Sequence, residues 1–198
     1  MVREVDLDYL ISAEQHNHCN CTECVCDKDI DYKQELLDKY NRVLKHLDLV
    51  SMYCRKLAKA LIMEGEYDLA HQLIIAGQYH DGSKLTNPNE WNYLCEYVGG
   101  PQSPQVQQAV YDHVRNNSHH PEFFDHKGGI HAMSDLNLAE TWADWQARGD
   151  EFNNPIGAFL LEKGFEKYKF DVNSAPFKKL DYYHKLVMGH GIMEDECI

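Results

Sequence analysis

A stripe of apolar residues between positions 36 and 61 constrains this chain more than any other feature. Its members follow one another at alternating spacings of four and three: Leu36, Tyr40, Val43, Leu47, Val50, Cys54, Leu57 and Leu61. This is the period of one face of an α-helix, so the sequence predicts a single amphipathic helix over about 32–64, ending at Gly65. Asp31 and Gln34 resemble the capping box that begins a helix. So long a stripe must be covered by the rest of the chain or by a second copy, and a homodimer is compatible with it.

Further helices are predicted along the rest of the chain, because few segments alternate with the period of two that strands require. They are expected over about 66–80, from Asn87-Pro88 to about 98, over about 104–116, from Asp135 to about 148, near 155–165 and near 176–189. Capping residues and prolines at the first helical position mark several of these starts, including Ser103 and Ser134. Residues 116–131 are predicted as a loop. The fold class is therefore all-α.

Length and composition indicate one helical domain, residues 31–198, behind a polar, cysteine-rich leader of 30 residues. No apolar run approaches the roughly 18 residues that span a bilayer, and the N-terminus lacks the layout of a secretory signal. We therefore expect a cytoplasmic protein with no membrane partner. The net charge of −13 disfavours the phosphate backbone of nucleic acids as a partner.

Four cysteines crowd into the leader, and they are Cys19, Cys21, Cys24 and Cys26. Thiolates bind zinc, so a small zinc site is one hypothesis, with His16 or His18 as a further ligand. Structural zinc sites usually combine two well-separated ligand pairs, whereas these thiols lie within eight residues. Reduced thiols on a flexible leader are the alternative hypothesis.

The doublet His80–Asp81 is the first candidate for chemistry. Neighbouring residues on a helix point about 100° apart, so the pair can bind one divalent cation but cannot complete its coordination. His46 lies one residue from the apolar stripe, and Asp144 lies between two tryptophans. A carboxylate in that aromatic setting is costly without a cationic partner. The sequence therefore predicts a metal site formed by His46, His80, Asp81 and Asp144.

Each of these residues also has a simpler explanation when it is taken alone. His46 is then a hydrogen-bonded histidine beside the core, and His80–Asp81 is a pair at a helix end. His113 could pack, and Lys84 could pair with Asp81. The combination of the four predicted ligands favours metal binding. Imidazole and carboxylate ligands suit manganese, nickel, zinc, magnesium or iron.

The order His…His-Asp…Asp, with "HDGSK" carrying the doublet, resembles the HD superfamily of metal-dependent phosphohydrolases. "HVRNNSHHPEFF", followed by "ADW", is similar to a group of small uncharacterised bacterial and phage proteins with an HD-like arrangement. The resemblance covers about residues 40–148. It implies an HD-domain-like helical bundle with the metal site between helices, to which the C-terminal helices over 155–189 are added.

The resemblance also implies one metal ion or two. His113 and one of His119 or His120 match the two extra histidines of two-metal members. Adjacent residues in an extended segment point to opposite sides, and Pro121 favours an extended conformation at His120. Only one of the pair His119–His120 is therefore expected to face the metal.

The implied activity is hydrolysis of a small phosphate ester, with a nucleotide as the expected substrate, by attack of a metal-bound water. Asp81 would bridge two ions or orient the water. Lys84, one helical turn after His80, would neutralise a substrate phosphate as a point charge. Arg115 and Lys127 are further candidates for phosphate contacts.

Two other functions remain open. Some HD-type proteins with the six-ligand set His, His-Asp, His, His, Asp hold two irons and activate dioxygen. The other alternative is a non-catalytic nucleotide-binding or host-interaction protein that uses the cysteine-rich leader as a docking element.

Overall fold

A computed structural model of the chain describes residues 25–91 and 103–197, with side chains described for 34–91 and 103–194. The described residues contain helices and turns and no strand, which confirms the all-α prediction. They fall into two compact units that divide between Asp38 and Lys39. The candidate site belongs entirely to the second unit. None of the described helices has the length and apolar character that crossing a bilayer requires.

The helices are numbered here in chain order. The α-helices are α1 (Val25–Met63), α2 (Tyr67–Tyr79), α3 (Ser83–Thr86), α4 (Pro104–Asn116), α5 (Asp135–Phe152), α6 (Ile156–Phe159, continued by a π-helical turn over Leu160–Gly164 and by Phe165–Tyr168) and α7 (Ala175–Met188). Short 3₁₀ helices cover Pro121–Lys127, Gly129–Ala132 and Ile192–Cys197.

Several predicted helix starts are confirmed by their capping bonds. Ser103 Oγ accepts from Val106 N at 3.3 Å, and α4 then has the predicted bounds. Ser134 Oγ accepts from Asn137 N at 3.2 Å at the start of α5. Asn87 also caps through its side chain, and residues 88–91 are helical. The remainder of that predicted helix lies outside the described residues.

Other predicted boundaries are wrong. Helix α1 begins at Val25, not near 32, because no glycine or proline in residues 25–31 stops the helix from extending past the apparent cap. Helix α5 continues to Phe152, where Asn153 in the left-handed region (φ 50°) ends it. The predicted loop over 116–131 contains two 3₁₀ helices, which the sequence pattern did not reveal.

The core is centred on α5, which is buried on almost every side. Every residue from Leu138 to Ala147 is buried, and α5 packs against α2 and α7. The predicted stripe on α1 contributes Val50, Cys54, Leu57 and Leu61, all fully buried. Because α5 has little solvent-facing surface, polar groups on it must find partners inside the protein.

Helices α1 and α2 approach closely at Gly77. A Cβ atom at this position would lie 2.5 Å from Cys54 Cβ and 2.7 Å from Cys54 Sγ. These distances are far below van der Waals contact, so only glycine fits without moving one helix. The approach matters for function because α2 delivers His80 and α1 carries His46.

We predict that Gly77→Ala destabilises the protein by about 1–3 kcal/mol through overpacking. Chemical denaturation measures the change. Gly82→Ala is the matched control, because its added Cβ would meet only Tyr79 O at 3.4 Å and the backbone there is helical. Equal stability of the two variants would contradict the close approach.

Candidate metal centre

The four ligands predicted from the sequence lie together in the structure. His46 comes from α1, His80 and Asp81 follow α2, and Asp144 comes from α5. All four are buried. His46 Nε2 lies 3.1 Å from Asp144 Oδ1 and 4.0 Å from Asp81 Oδ2. His80 Nε2 lies 3.8 Å and 3.4 Å from the same two oxygens. Such spacings suit ligand atoms that surround one ion at about 2.1 Å.

A second group of ligand atoms lies on the other side of Asp81. Asp81 Oδ1 is 3.3 Å from both His113 Nε2 and His119 Nε2. His120 Nε2 is 3.1 Å from His113 Nε2. Atoms of Asp81, His113, His119 and His120 are close enough to one another to share an ion. Asp81 therefore turns one oxygen toward each group, which is the geometry of a carboxylate that bridges two ions.

The expectation that only one of His119 and His120 faces the centre is wrong. Both rings lie at the centre, with centroids 4.2 Å apart. The reason is local, because residues 117–120 form a turn in which His120 N donates to Asn117 O at 3.1 Å. Alternation of adjacent side chains belongs to extended strands and does not apply to a turn.

The doublet His80–Asp81 does not lie on a helix, contrary to the prediction. Helix α2 ends at Tyr79, and Asp81 adopts a left-handed backbone (φ 48°) before α3 begins. Lys84 therefore reaches the centre from α3, not from a continuation of α2. Its ammonium group still donates to Asp81 Oδ2, at 2.5 Å. Asparagine and aspartate tolerate this backbone region better than other non-glycine residues.

Three glutamates that sequence reasoning missed support the histidines from behind. Each contact joins a histidine Nδ1 to a glutamate oxygen: His46 to Glu151 at 3.2 Å, His80 to Glu140 at 3.0 Å, His119 to Glu140 at 3.4 Å, and His113 to Glu90 at 2.9 Å. Metal-binding histidines commonly donate their second N–H to such a carboxylate, which fixes the tautomer and the ring orientation. The sequence did contain a signal for two of these glutamates. Glu140 stands four residues before Asp144 and Glu151 seven residues after it, so both share the face of α5 that carries Asp144.

These contacts decide which way the imidazole lone pairs point. A neutral imidazole has one N–H and one lone pair, so an Nδ1–H that donates to a glutamate leaves the lone pair on Nε2. His46 Nε2, His80 Nε2, His119 Nε2 and Asp81 Oδ1 are buried and have no hydrogen-bond partner. Each unpaired buried acceptor costs about 1–3 kcal/mol. A cation in each of the two groups would give every one of these acceptors a partner, so the residues present fit metal ions.

The charges of the centre lead to the same conclusion. Burial would raise the pKa of the Asp81 carboxyl, but His80, Lys84 and the neighbouring imidazoles of His113 and His119 hold that pKa well below its usual range. Burial would lower the pKa of His119, but the adjacent carboxylates of Asp81 and Glu140 raise it to about 10. In the metal-free protein a proton on His119 would therefore occupy the place of a cation.

A cavity of about 470 Å³ opens onto the centre, large enough for a small molecule. Asp81, His113, His120 and Asp144 line it together with four cationic residues, Lys84, Arg148, Lys163 and Lys167. Four positive side chains around one cavity are notable in a chain with net charge −13.

Other predicted site residues lie elsewhere. Arg115 pairs with Asp125 at 3.2 Å and stacks on Tyr111, and neither Arg115 nor Lys127 is among the described residues that line the cavity. Their predicted phosphate contacts are therefore not supported by position. The side chains of the proposed zinc ligands, Cys19, Cys21, Cys24 and Cys26, lie outside the described residues, as do those of His16 and His18.

Comparison with known proteins identifies a family but no function. A model of a family of unknown function, DUF5662, matches residues 35–186, and the chain therefore belongs to this family. No curated protein and no solved structure matches the chain. The matched region includes every histidine and carboxylate of the candidate centre.

We predict that the stability of the metal-free protein falls as the pH rises from about 6.5 to 10. The raised folded-state pKa of His119 stabilises the protein fully below the unfolded value of about 6.5, and the benefit is lost as the pH approaches 10. Thermal unfolding in the presence of a chelator, over a series of pH values, measures this. His119→Gln should show a flatter dependence, and identical slopes would contradict the assignment.

Proposed function

We propose that this protein is a metal-dependent phosphohydrolase that acts on a small phosphate ester, with a nucleotide as its substrate. The observation that carries the proposal is the convergence of buried imidazole lone pairs and carboxylate oxygens on both sides of Asp81, at one wall of a cation-lined cavity. The resemblance to the HD superfamily supports the reaction class and the nucleotide.

The chain offers two adjacent ion sites. His46, His80, Asp144 and Asp81 Oδ2 would hold one ion. Asp81 Oδ1, His113, His119 and His120 would hold the other. When bound, divalent ions at such sites stabilise charge on phosphate oxygens and lower the pKa of a coordinated water.

The surrounding residues have separate roles in this proposal. Glu140 accepts from His80 Nδ1 and lies beside His119 Nδ1, so one carboxylate orients ligands of both ion sites. Lys84 lines the cavity beside Asp81 and would place a positive charge next to the substrate phosphate. The stacked rings of Trp145 and Tyr168, with centroids 5.5 Å apart, provide an aromatic surface in the same cavity. Such a surface suits a flat nucleobase.

We predict that the purified protein binds two divalent metal ions per chain. His46→Gln and His113→Gln should each lose one ion, because each variant removes a ligand from a different group. Elemental analysis after dialysis measures the stoichiometry. His131→Gln is the control, since His131 is exposed and hydrogen-bonds only to Lys169 O among the described residues. One ion in the wild type, or full loading of both variants, would contradict the two-site arrangement.

We also predict phosphate release in a screen of nucleoside mono-, di- and triphosphates with manganese, nickel, zinc, magnesium and iron. Asp81→Asn should lower kcat/KM by about 100-fold or more, since ion-mediated charge stabilisation is worth several kcal/mol. Asp125→Asn, at the exposed pair with Arg115, is the control. Undiminished hydrolysis by Asp81→Asn would show that the reaction does not take place at this metal centre. Nucleotide binding without phosphate release under any metal would favour the non-catalytic alternative.

A di-iron oxygenase of the HD type is the second candidate. The observation that favours it is that His113 and His119 both face Asp81 Oδ1, so the whole six-ligand set converges. Two irons per chain with an oxygen-sensitive absorption spectrum, and no phosphate release, would select this alternative. Manganese, nickel, zinc or magnesium with hydrolysis would select the first.

A further inference from the structure

Resting on the proposed function, we infer that the substrate carries a second anionic group, which Lys163 and Arg148 bind on the cavity wall beyond the metal centre. The substrate class is thereby narrowed to small molecules with two separated anions, such as a phosphate ester with a second phosphate. This inference comes from three features of the wall that the metal centre does not explain.

The first feature is the position of Arg148 on α5. It follows Asp144 by four residues, which is about one helical turn, or about 6 Å along the axis. Both residues line the cavity. The guanidinium donates to Glu151 Oε2 at 3.0 Å, and a guanidinium has five N–H donors. Arg148 therefore retains donors for an anion that lies about one turn from an ion held by Asp144.

The second feature is the π-helical turn of α6. Phe159, Lys163 and Lys167 all line the cavity and are spaced by four residues. In a regular α-helix each four-residue step overshoots one turn by about 40°. The wider turn over Leu160–Gly164 reduces this overshoot and keeps the three side chains on the cavity side. Gly164 is the last residue of this turn, and it packs closely there: a Cβ atom at this position would lie 2.7 Å from Leu160 Cδ2.

The third feature is the difference between the two lysines of α6. Lys167 donates to Tyr168 Oη at 3.0 Å and pairs with Glu122 at 2.7 Å, so its charge is compensated. Lys163 lies 5.7 Å from the Phe159 ring centroid and forms no ion pair with any other described residue. An uncompensated ammonium group that lines the same cavity as Arg148 is suited to an anion of the ligand.

The test compares two phosphonates that no hydrolase of this type can cleave. Propylphosphonate carries one anionic group, and propane-1,3-diylbisphosphonate carries two, separated by three methylene groups. Calorimetric titration of the metal-loaded protein gives both affinities. We expect the bisphosphonate to bind about tenfold more tightly, as one charge-assisted hydrogen-bonded contact would provide. Lys163→Gln should remove most of this advantage and Lys163→Arg should keep it, while Lys178→Gln, at an exposed lysine outside the cavity, is the matched control.

The outcomes separate the two proposals. If the metal-loaded protein binds neither phosphonate, the phosphohydrolase proposal and this inference both fail. If propylphosphonate binds but the bisphosphonate binds no more tightly, only the second anion subsite is overturned. An unchanged affinity ratio in Lys163→Gln would overturn it equally.

Discussion

Imidazole lone pairs and carboxylate oxygens face one another around Asp81, and a folded protein can keep such an arrangement only with a cation or a proton between them. The acceptors are buried, so water cannot satisfy them. They come from α1, α4, α5 and the turns after α2 and α4, so the whole helical packing is needed to bring them together. Helix α5 is decisive, because it is buried on nearly every side and still carries Glu140 and Asp144. Those carboxylates are tolerable there only because the histidines of the other elements meet them.

The left-handed backbone at Asp81 connects the fold to the chemistry of the centre. A strained backbone conformation of a non-glycine residue costs about 1–3 kcal/mol unless the surrounding contacts hold it in place. Here those contacts are the ammonium of Lys84 on Oδ2 and the imidazoles of His113 and His119 near Oδ1. Had α2 continued through Asp81, the carboxylate would have followed the helix surface and could not have turned its two oxygens toward two groups of histidines. The break in the helix is therefore part of the site.

The sequence predicts most of the helices, and the four residues that it proposes as the first ligand set lie together in the structure. The stripe on α1, the serine caps of α4 and α5, and the set His46, His80, Asp81 and Asp144 all follow from spacing and residue type. The pairing of histidines with glutamates could not be found in this way, since Glu90 and Glu151 meet partners 23 and 105 residues away in the chain. The turn that brings both His119 and His120 to the centre was also not predicted, because Pro121, which follows them, indicated an extended segment. Long-range pairing and turn geometry are what a local pattern omits.

The distribution of charge is compatible with the anionic substrate that we propose for this acidic protein. At physiological ionic strength the Debye length is about 8 Å, so exposed carboxylates repel a small ligand only at close range. A polyanion such as a nucleic acid would contact many of these carboxylates at once and be rejected. A small anion that enters the cavity instead meets Lys84, Arg148 and Lys163, in a cleft where screening is weaker than in bulk water. Under the proposed function, the net charge of −13 and the cationic cavity would act together, since the surface would repel long anions and the cavity would attract short ones.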